Sequence, residues 1–280
     1  MVTSTLPNIK NKPPRRKEMR YKVLSKACGI RVNGKIMVPS QANTSNPVPG
    51  VVLCHGFGAD QRIMESSAIL LVNKGIATIT FDLRGHGFSG GLLDGHAYKD
   101  IIDAWQMLTS VPEVDNSRIA LVGHSLGALS SILAATIVKP KAIVALSCPY
   151  EVKEITFRDL PLKVYPLIMP LVSYVWRIAM LFNGMKVRVN WKNFLESFPG
   201  TRLSAALAKL DRCEKLFVFG ASDRITPYKR FAQVYQNAPE PKMKMVTRGS
   251  HSTPIEAEII RFEWVGWLVK ALTLSNNLYP

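Results

Sequence analysis

Short apolar runs alternate with segments of helical periodicity along most of the chain. Apolar runs bounded by glycine or polar residues are typical of strands buried on both faces of a sheet. Runs of this kind, or of strand-like composition, predict strands at 21–27, 30–32, 35–38, 51–54, 76–81, 119–122, 142–147, 215–219 and 243–246. Helical periodicity predicts helices at 62–74, 98–109, 128–138, 228–236 and 256–272. The alternation predicts a mostly parallel sheet with helices on both faces.

The alternation is interrupted after Pro149. From there to about Asp211 the chain contains no clean strand but has a proline-punctuated apolar stretch, Leu160–Phe182. This stretch is long enough to span a membrane. However, it contains Lys163, Arg177 and three prolines, and it interrupts a sheet whose two halves must share one core. It therefore predicts a helical cap inserted between two strands, rather than a transmembrane helix.

These patterns divide the chain into four parts. We expect residues 1–19 to form a flexible basic arm and 20–149 to form the first part of an α/β core. Residues 150–212 are the predicted cap, and 213–280 complete the core. Near the start of the core, Asn33-Gly34 is a favoured type I′ turn sequence and predicts a hairpin.

Composition narrows the class of protein. The chain has 280 residues and a net charge of +16, and seven Lys or Arg residues lie in its first 22 positions. Such a charge suits nucleic acid, an anionic membrane surface or acidic substrates. No nucleic-acid-binding motif accompanies it, so we predict a basic solvated surface and no nucleic-acid partner, and a peripheral contact with an anionic membrane is left open.

The four cysteines have neither a CxxC pair nor metal-like spacing, so they predict buried, reduced thiols. The N-terminal stretch lacks the apolar segment of a secretory signal. Together these features predict a cytoplasmic protein. They say nothing about its oligomeric state.

The sequence Gly123-His124-Ser125-Leu126-Gly127 lies between a predicted buried strand and a predicted helix. Gly-x-Ser-x-Gly in this context predicts a nucleophile elbow, a tight turn that raises one serine hydroxyl above the end of a sheet. The flanking glycines keep Cβ atoms out of the turn, where the two backbones approach closely. A serine hydroxyl also needs a histidine base and an acid that orients the base.

Asp223 and His251 follow Ser125 in the order expected for the fold predicted here, with the elbow serine first, the acid next and the histidine last. His251 is the only one of the five histidines that comes after Ser125, and it lies between the last predicted strand and the last predicted helix. Asp223 follows the strand at 215–219, at the sheet edge where open α/β folds place their sites. Glu151, just after the preceding strand, is the rival for the acid.

Two backbone N–H groups are expected to stabilise the oxyanion of an acyl-transfer reaction. We predict the amide of Leu126, which follows the nucleophile, and the amide of Phe57, which lies between two glycines in a loop after a strand. His55, His86 and His124 are interpreted as structural residues. No cluster has metal-ligand spacing and no dinucleotide glycine pattern is present, so neither a metal nor a cofactor is predicted.

Five motifs resemble, in combination, those of the α/β-hydrolase superfamily. They are HGFGAD at His55, FDLRGHGFS at Phe81, GHSLG at Gly123, GASDRITP at Gly220 and GSHSTP at Gly249. The resemblance covers roughly residues 20–275 and is weakest across the insertion. It is closest to the serine-hydrolase branch that holds monoacylglycerol lipase-like carboxylesterases and related acyl hydrolases.

The resemblance implies an eight-stranded, mostly parallel sheet with a helical cap between strands six and seven. It also implies Ser125, Asp223 and His251 as a catalytic triad. Epoxide hydrolases and haloalkane dehalogenases of this superfamily carry aspartate at the elbow, which argues against both of those activities here. The two-glycine HGFG sequence differs from the three-glycine run of the hormone-sensitive lipase branch.

We therefore predict a serine carboxylesterase that acts on a small-molecule ester. Apolar residues of the cap predict a pocket for short-to-medium acyl or aromatic esters, with monoacylglycerols among the candidates. The predicted lining residues are Leu167, Met169, Leu171, Tyr174, Val175, Trp176, Met180 and Phe182. A thioesterase or an aminopeptidase-like acyl hydrolase with the same triad is the first alternative. A non-catalytic hydrolase-like protein that binds a membrane or a partner is the second.

Overall fold

The computed structural model describes residues 16–24, 29–151, 187–197 and 200–273. The strands are β1 (Arg16–Leu24), β2 (Arg31–Pro39), β3 (Val48–Cys54), β4 (Ala77–Phe81), β5 (Val114–His124), β6 (Ala142–Leu146), β7 (Glu214–Gly220) and β8 (Lys242–Thr247). The helices are α1 (Glu65–Asn73), α2 (Ala97–Thr109), α3 (Leu126–Val138), α4 (Trp191–Glu196), α5 (Gly200–Leu207), α6 (Tyr228–Asn237), α7 (Thr253–Glu256) and α8 (Glu258–Thr273). A turn of 3-10 helix at Gln61–Met64 precedes α1.

All eight strands belong to one sheet, in the order β1-β2-β4-β3-β5-β6-β7-β8. β2 pairs antiparallel with β1 and β4, and every neighbouring pair from β4 to β8 is parallel. This arrangement confirms the predicted fold class. The strand order reverses at β3, which lies between β4 and β5, so the loops that follow β3 and β5 border a crevice at the carboxyl edge of the sheet.

The side chains of β3 explain why its sequence is continuously apolar. Val52 and Cys54 face a core that contains α2 and α3, whereas Val51 and Leu53 face a second core against α1 and α8. Because both faces of the strand are covered by helices, no position on it favours a polar residue. The same double burial holds the end of β3, and the loop after it, rigidly beside the end of β5.

The Asn33-Gly34 hairpin is a wrong prediction. Both residues lie inside β2, where they pair with Lys22 and Tyr21 of β1. The Asn33 amide donates to the Ser89 hydroxyl at 2.8 Å, and its side chain donates to a carboxylate oxygen of Asp82 at 3.0 Å. These contacts with the loop after β4 hold the dipeptide extended, so tertiary interactions override its turn propensity.

Two element boundaries also differ from the sequence prediction. β1 begins at Arg16, so its first residues come from the stretch 1–19 that was predicted to be an arm. The predicted final helix, 256–272, corresponds to α8, which begins at Glu258 because Ala257 adopts an extended conformation after the short helix α7.

The insertion lies between β6 and β7, at the predicted place. Residues 152–186, including every predicted lining residue of the cap, lie outside the described residues. The described helices include none that is both long and apolar enough to cross a membrane. Cys54, Cys148 and Cys213 are buried free thiols as predicted, and Cys28 lies outside the described residues.

Candidate active site

Ser125 occupies the turn between β5 and α3 in a conformation that is unusual for a residue with a side chain. Its backbone has φ 53° and ψ −119°, and its amide donates to the carbonyl of Leu146 in β6 at 2.8 Å. A Cβ on Gly123 would collide with the main chain of Gly127, and a Cβ on Gly127 would collide with the carbonyls of Cys54 and His55. Both glycines of Gly-x-Ser-x-Gly are therefore required by the close approach of strand, helix and neighbouring loop.

The loops after β7 and β8 bring Asp223 and His251 into direct contact. The Ser222 amide donates to the Gly249 carbonyl at 2.9 Å, which holds the two loops together. His251 Nδ1 lies 2.8 Å from Asp223 Oδ2. An ionised carboxylate can only accept, so Nδ1 carries the proton and Nε2 of the neutral ring is left as the basic nitrogen.

Asp223, and not Glu151, is thus the acid that bonds to His251. Glu151 lies at the rim of a different, surface cavity of about 400 Å³, together with Tyr150 and Arg230. The structure thus places the carboxylate predicted from the chain order, Asp223, in contact with His251.

The Asp223 side chain is fully buried and rich in hydrogen bonds. Oδ1 accepts the N–H groups of Ile225 and Thr226, both at 2.8 Å, and Oδ2 accepts the Thr226 hydroxyl at 2.7 Å. Burial acts to raise the pKa of Asp223, but the hydrogen bond and charge of His251, together with the Thr226 hydrogen bonds, outweigh it and lower the pKa to about 2. The carboxylate is therefore ionised at neutral pH.

Ser125 is connected to His251 through its neighbour, His124. His124 Nε2 donates to the main-chain carbonyl of His251 at 3.0 Å, and the two imidazole rings lie 4.8 Å apart between centroids. Burial lowers the pKa of His124 to about 3, so its ring is neutral. The sequence prediction of a structural role for His124 agrees with this bond, which joins the serine turn to the loop that carries His251.

The loop after β3 packs against the serine turn. A Cβ on Gly56 would come within 3.1 Å of Ser125 Cβ, so glycine permits the close approach. His55 donates from Nδ1 to the Gly56 carbonyl at 2.7 Å and accepts the Leu83 amide at Nε2 at 3.0 Å. Burial lowers the pKa of His55 to about 4. His55 therefore holds this loop against the loop after β4 as a neutral ring.

His86 supports the same loop from the other side. Its Nε2 accepts the Gly58 amide at 3.2 Å, and its Nδ1 donates to the Arg84 carbonyl at 3.0 Å. Burial is the main reason that the pKa of His86 falls to about 3. The structural roles predicted for His55 and His86 are confirmed by these hydrogen bonds.

The two residues predicted to stabilise the oxyanion lie next to the serine turn, one in the helix after Ser125 and one beside Gly56. Leu126 is the first residue of α3, so its amide is among the N–H groups that have no acceptor within their own helix, at the positive end of the helix dipole. Phe57 lies in the loop next to Gly56, and its ring is stacked on Phe194 at 5.7 Å and lies 6.0 Å from Trp191.

Trp191 and Phe194 were missed by the sequence prediction, which placed the apolar wall of the site between Leu167 and Phe182. Their signal is a spacing of three residues, which puts both rings on one side of α4. The segment that carries them is fastened to the loop after β4, because the Arg188 amide donates to the Gly85 carbonyl at 2.8 Å.

In the ranges the structure describes, no group of three or more His, Cys, Asp or Glu side chains is placed to hold a metal ion.

Comparison with known proteins places this geometry in context. A family model described as "Alpha/beta hydrolase family" matches residues 51–260, which include Ser125, Asp223 and His251. An uncharacterized protein of Mycobacterium tuberculosis is 26% identical over 212 residues, which are 74% of this chain and 64% of that protein. The match thus spans less than two thirds of the relative's length.

Two solved structures share the fold at low sequence identity. A hypothetical protein from Pseudomonas aeruginosa has a TM-score of 0.75 at 16% identity, with 97% of this chain and 100% of that chain covered. An esterase from Pyrococcus furiosus has a TM-score of 0.66 at 20% identity, with 91% and 90% covered. At these identities the likeness concerns the fold alone.

Proposed function

The chain belongs to the alpha/beta hydrolase family, and from that premise we propose that it is a serine hydrolase that cleaves carboxylic esters through an acyl-enzyme on Ser125. The observation that carries the proposal is the 2.8 Å hydrogen bond between His251 and Asp223 beside the serine turn. This bond leaves Nε2 of His251 as the basic nitrogen. The strained turn directly after β5 presents Ser125 as the nucleophile.

In the proposed reaction the Ser125 hydroxyl attacks the ester carbonyl while His251 takes its proton. The ionised Asp223 holds the ring in the useful tautomer and stabilises the imidazolium that forms. The amides of Leu126 and Phe57 stabilise the oxyanion. His251 then gives its proton to the departing alcohol, which leaves an acyl group on Ser125. Water, deprotonated by the same imidazole, attacks the acyl group. The bond to Ser125 Oγ then breaks as His251 returns the proton to this oxygen, and the carboxylic acid is released.

We propose a short-to-medium acyl or aromatic ester as the substrate, with monoacylglycerols among the candidates. The aromatic cluster of Phe57, Trp191 and Phe194 supports this class, because it borders the loop predicted to stabilise the oxyanion. The partly exposed rings of Phe57 and Trp191, which pack on the buried Phe194, favour an apolar acyl or aromatic group. For the same reason we propose that the protein belongs to the serine carboxylesterase branch of the family.

Labelling by a fluorophosphonate probe tests the nucleophile. The wild-type protein should be labelled, and Ser125→Ala should remain folded, lose labelling and lose at least about 10³-fold in kcat on a p-nitrophenyl ester. Ser130→Ala is the matched control, since Ser130 is buried on the helix that follows Ser125 and its hydroxyl has no hydrogen-bond partner within the part of the chain that the structure describes. Ester hydrolysis by Ser125→Ala at the wild-type rate would refute the mechanism.

A substrate panel separates the ester from its rivals. Purified protein is assayed with p-nitrophenyl esters of increasing acyl length, acyl-CoA thioesters and aminoacyl anilides. We expect the highest kcat/KM on esters of short-to-medium length. A higher value on thioesters or anilides would leave Ser125 as the nucleophile and replace the proposed substrate class.

A further inference from the structure

The side-chain hydroxyls of Ser147 and Thr226 link the His251 main chain to the Asp223 carboxylate. Neither residue takes a chemical part in the proposed reaction. The Ser147 hydroxyl donates to the His251 carbonyl at 2.8 Å. The Ser147 carbonyl in turn lies 3.1 Å from the Thr226 hydroxyl, which lies 2.7 Å from Asp223 Oδ2. Ser147 and Thr226 are both essentially inaccessible to solvent, so no water competes for these bonds.

Ser147 adopts a conformation that needs a reason. It follows β6 directly and has φ 47°, a left-handed backbone that costs a residue with a side chain on the order of 1–2 kcal/mol. Its amide donates to Val218 in β7 at 2.7 Å, and its hydroxyl and carbonyl are bonded to the loops of His251 and Thr226. All three of its polar groups are therefore engaged, each by a different part of the site.

The groups around the Thr226 hydroxyl limit which acceptor its hydrogen can reach. Its hydroxyl has one hydrogen and three neighbouring groups, since His251 Nδ1 also lies 3.1 Å away. Nδ1 donates to Asp223 and therefore cannot accept from Thr226. The hydroxyl hydrogen is therefore shared between Asp223 Oδ2, at 2.7 Å, and the Ser147 carbonyl, at 3.1 Å, with the shorter contact to the carboxylate. Asp223 Oδ2 thus accepts from both Thr226 and His251.

We propose that Ser147 and Thr226 are positioning residues that act as one unit on His251, a role that rests on the proposed serine-hydrolase function. Ser147 holds the main chain of His251, and Thr226 holds the carboxylate that orients its ring. Because the two residues also bond to each other, the loss of either loosens the hold of the other.

The proposal predicts a change in pH dependence that a purely structural residue would not cause. In the described part of the chain, Asp223 and His124 are the titratable side chains that contact the His251 ring, and burial keeps His124 neutral by lowering its pKa to about 3. Glu256 of α7 bonds to Ser252 instead, at 2.7 Å. Without the Thr226 hydroxyl, the Asp223 carboxylate accepts one hydrogen bond fewer, so its negative charge favours the imidazolium form of His251 more strongly. The acid limb of kcat/KM therefore moves to higher pH.

The experiment compares Thr226→Val, Ser147→Ala and their double variant on a p-nitrophenyl ester. Each single change should lower kcat about tenfold with little change in KM, because one hydrogen bond to a charged or strained group is lost. The double variant should lose about ten- to thirtyfold, well short of the product of the singles. Thr226→Ser should restore the wild-type kcat and acid limb. Thr78→Val is the matched control, since the buried Thr78 hydroxyl has no hydrogen-bond partner among the described residues.

The ring NMR signal of His251 provides a readout that needs no turnover. In ¹⁵N-histidine-labelled protein, the Nδ1–H signal should shift or broaden in Thr226→Val but not in Thr78→Val. If the wild type hydrolyses no acyl substrate but this signal still depends on Thr226, the proposed function fails and the positioning role stands. The positioning role is overturned if Thr226→Val and Ser147→Ala match Thr78→Val in kcat and in the signal. Fully multiplicative losses would overturn the action as one unit.

Discussion

Acidification should destabilise this protein through three buried histidines near the serine turn. Burial lowers the pKa of His55 from 6.5 to about 4, and those of His86 and His124 from 6.5 to about 3. The native rings are neutral because each is buried. His55 and His86 are hydrogen-bonded to the main chain through both ring nitrogens, and His124 is bonded through Nε2. In the unfolded chain the same residues are free to take up protons.

The sign and size of the effect follow from proton linkage. Below pH 6.5 the unfolded state binds more protons than the native state, so the free energy of unfolding falls as the pH falls. The loss continues until about pH 4 for His55 and about pH 3 for His86 and His124. At pH 5 each histidine removes roughly 2 kcal/mol relative to pH 8, or roughly 6 kcal/mol together. A typical domain has about 5–15 kcal/mol in total.

Urea unfolding followed by tryptophan fluorescence at pH 8, 7, 6 and 5 measures this loss. His86→Gln is the informative variant, because His86 lies outside the proposed triad. We expect it to be less stable than wild type at pH 8 but to lose roughly 2 kcal/mol less between pH 8 and pH 5. His96→Gln is the control for the loss of an imidazole that is not buried. A wild-type change below about 1 kcal/mol, or parallel curves for wild type and His86→Gln, would refute the reasoning.

Two substitutions test how the site is supported. Gly127→Ala drives a Cβ into two main-chain carbonyls at the end of β3, so we expect the Tm to fall by at least about 5 °C, whereas Gly266→Ala, with open space around it, should leave the Tm unchanged or raise it. Equal Tm values for the two would contradict the close packing. Arg84→Met leaves the buried Asp100 carboxylate without the guanidinium that lies 2.7 Å away, and urea unfolding should show a loss of about 3–5 kcal/mol. Adding Asp100→Leu should recover most of that loss, and a double variant no more stable than the single would show that the ion pair is not its cause.

Features that depend on residues close together in the sequence could be predicted without the structure. The apolar runs of the central strands are continuous because helices cover both faces, and that pattern is visible without coordinates. Gly123 and Gly127 are required by clashes within and beside one turn, so their spacing marked Ser125. The order of Asp223 and His251 along the chain then predicted two side chains that the structure brings into contact, because parallel strands present their carboxyl ends at one edge.

Local propensity was misleading where a distant segment competed for the same residue. Asn33-Gly34 has the composition of a turn, but its donors are bonded to Asp82 and Ser89. No pattern within the dipeptide reports those partners.

Only the tertiary structure could decide which hydroxyls and aromatic rings surround the proposed catalytic residues. Ser147 bonds to His251 across 104 positions of the chain and to Thr226 across 79. Phe57 likewise meets Trp191 of α4, which lies within the insertion. The sequence by itself determined the strands, the serine turn and the order of its partners, because these follow from local periodicity and steric demand. The support around His251 depends on how loops from three strands converge, and that convergence exists only once the sheet has formed.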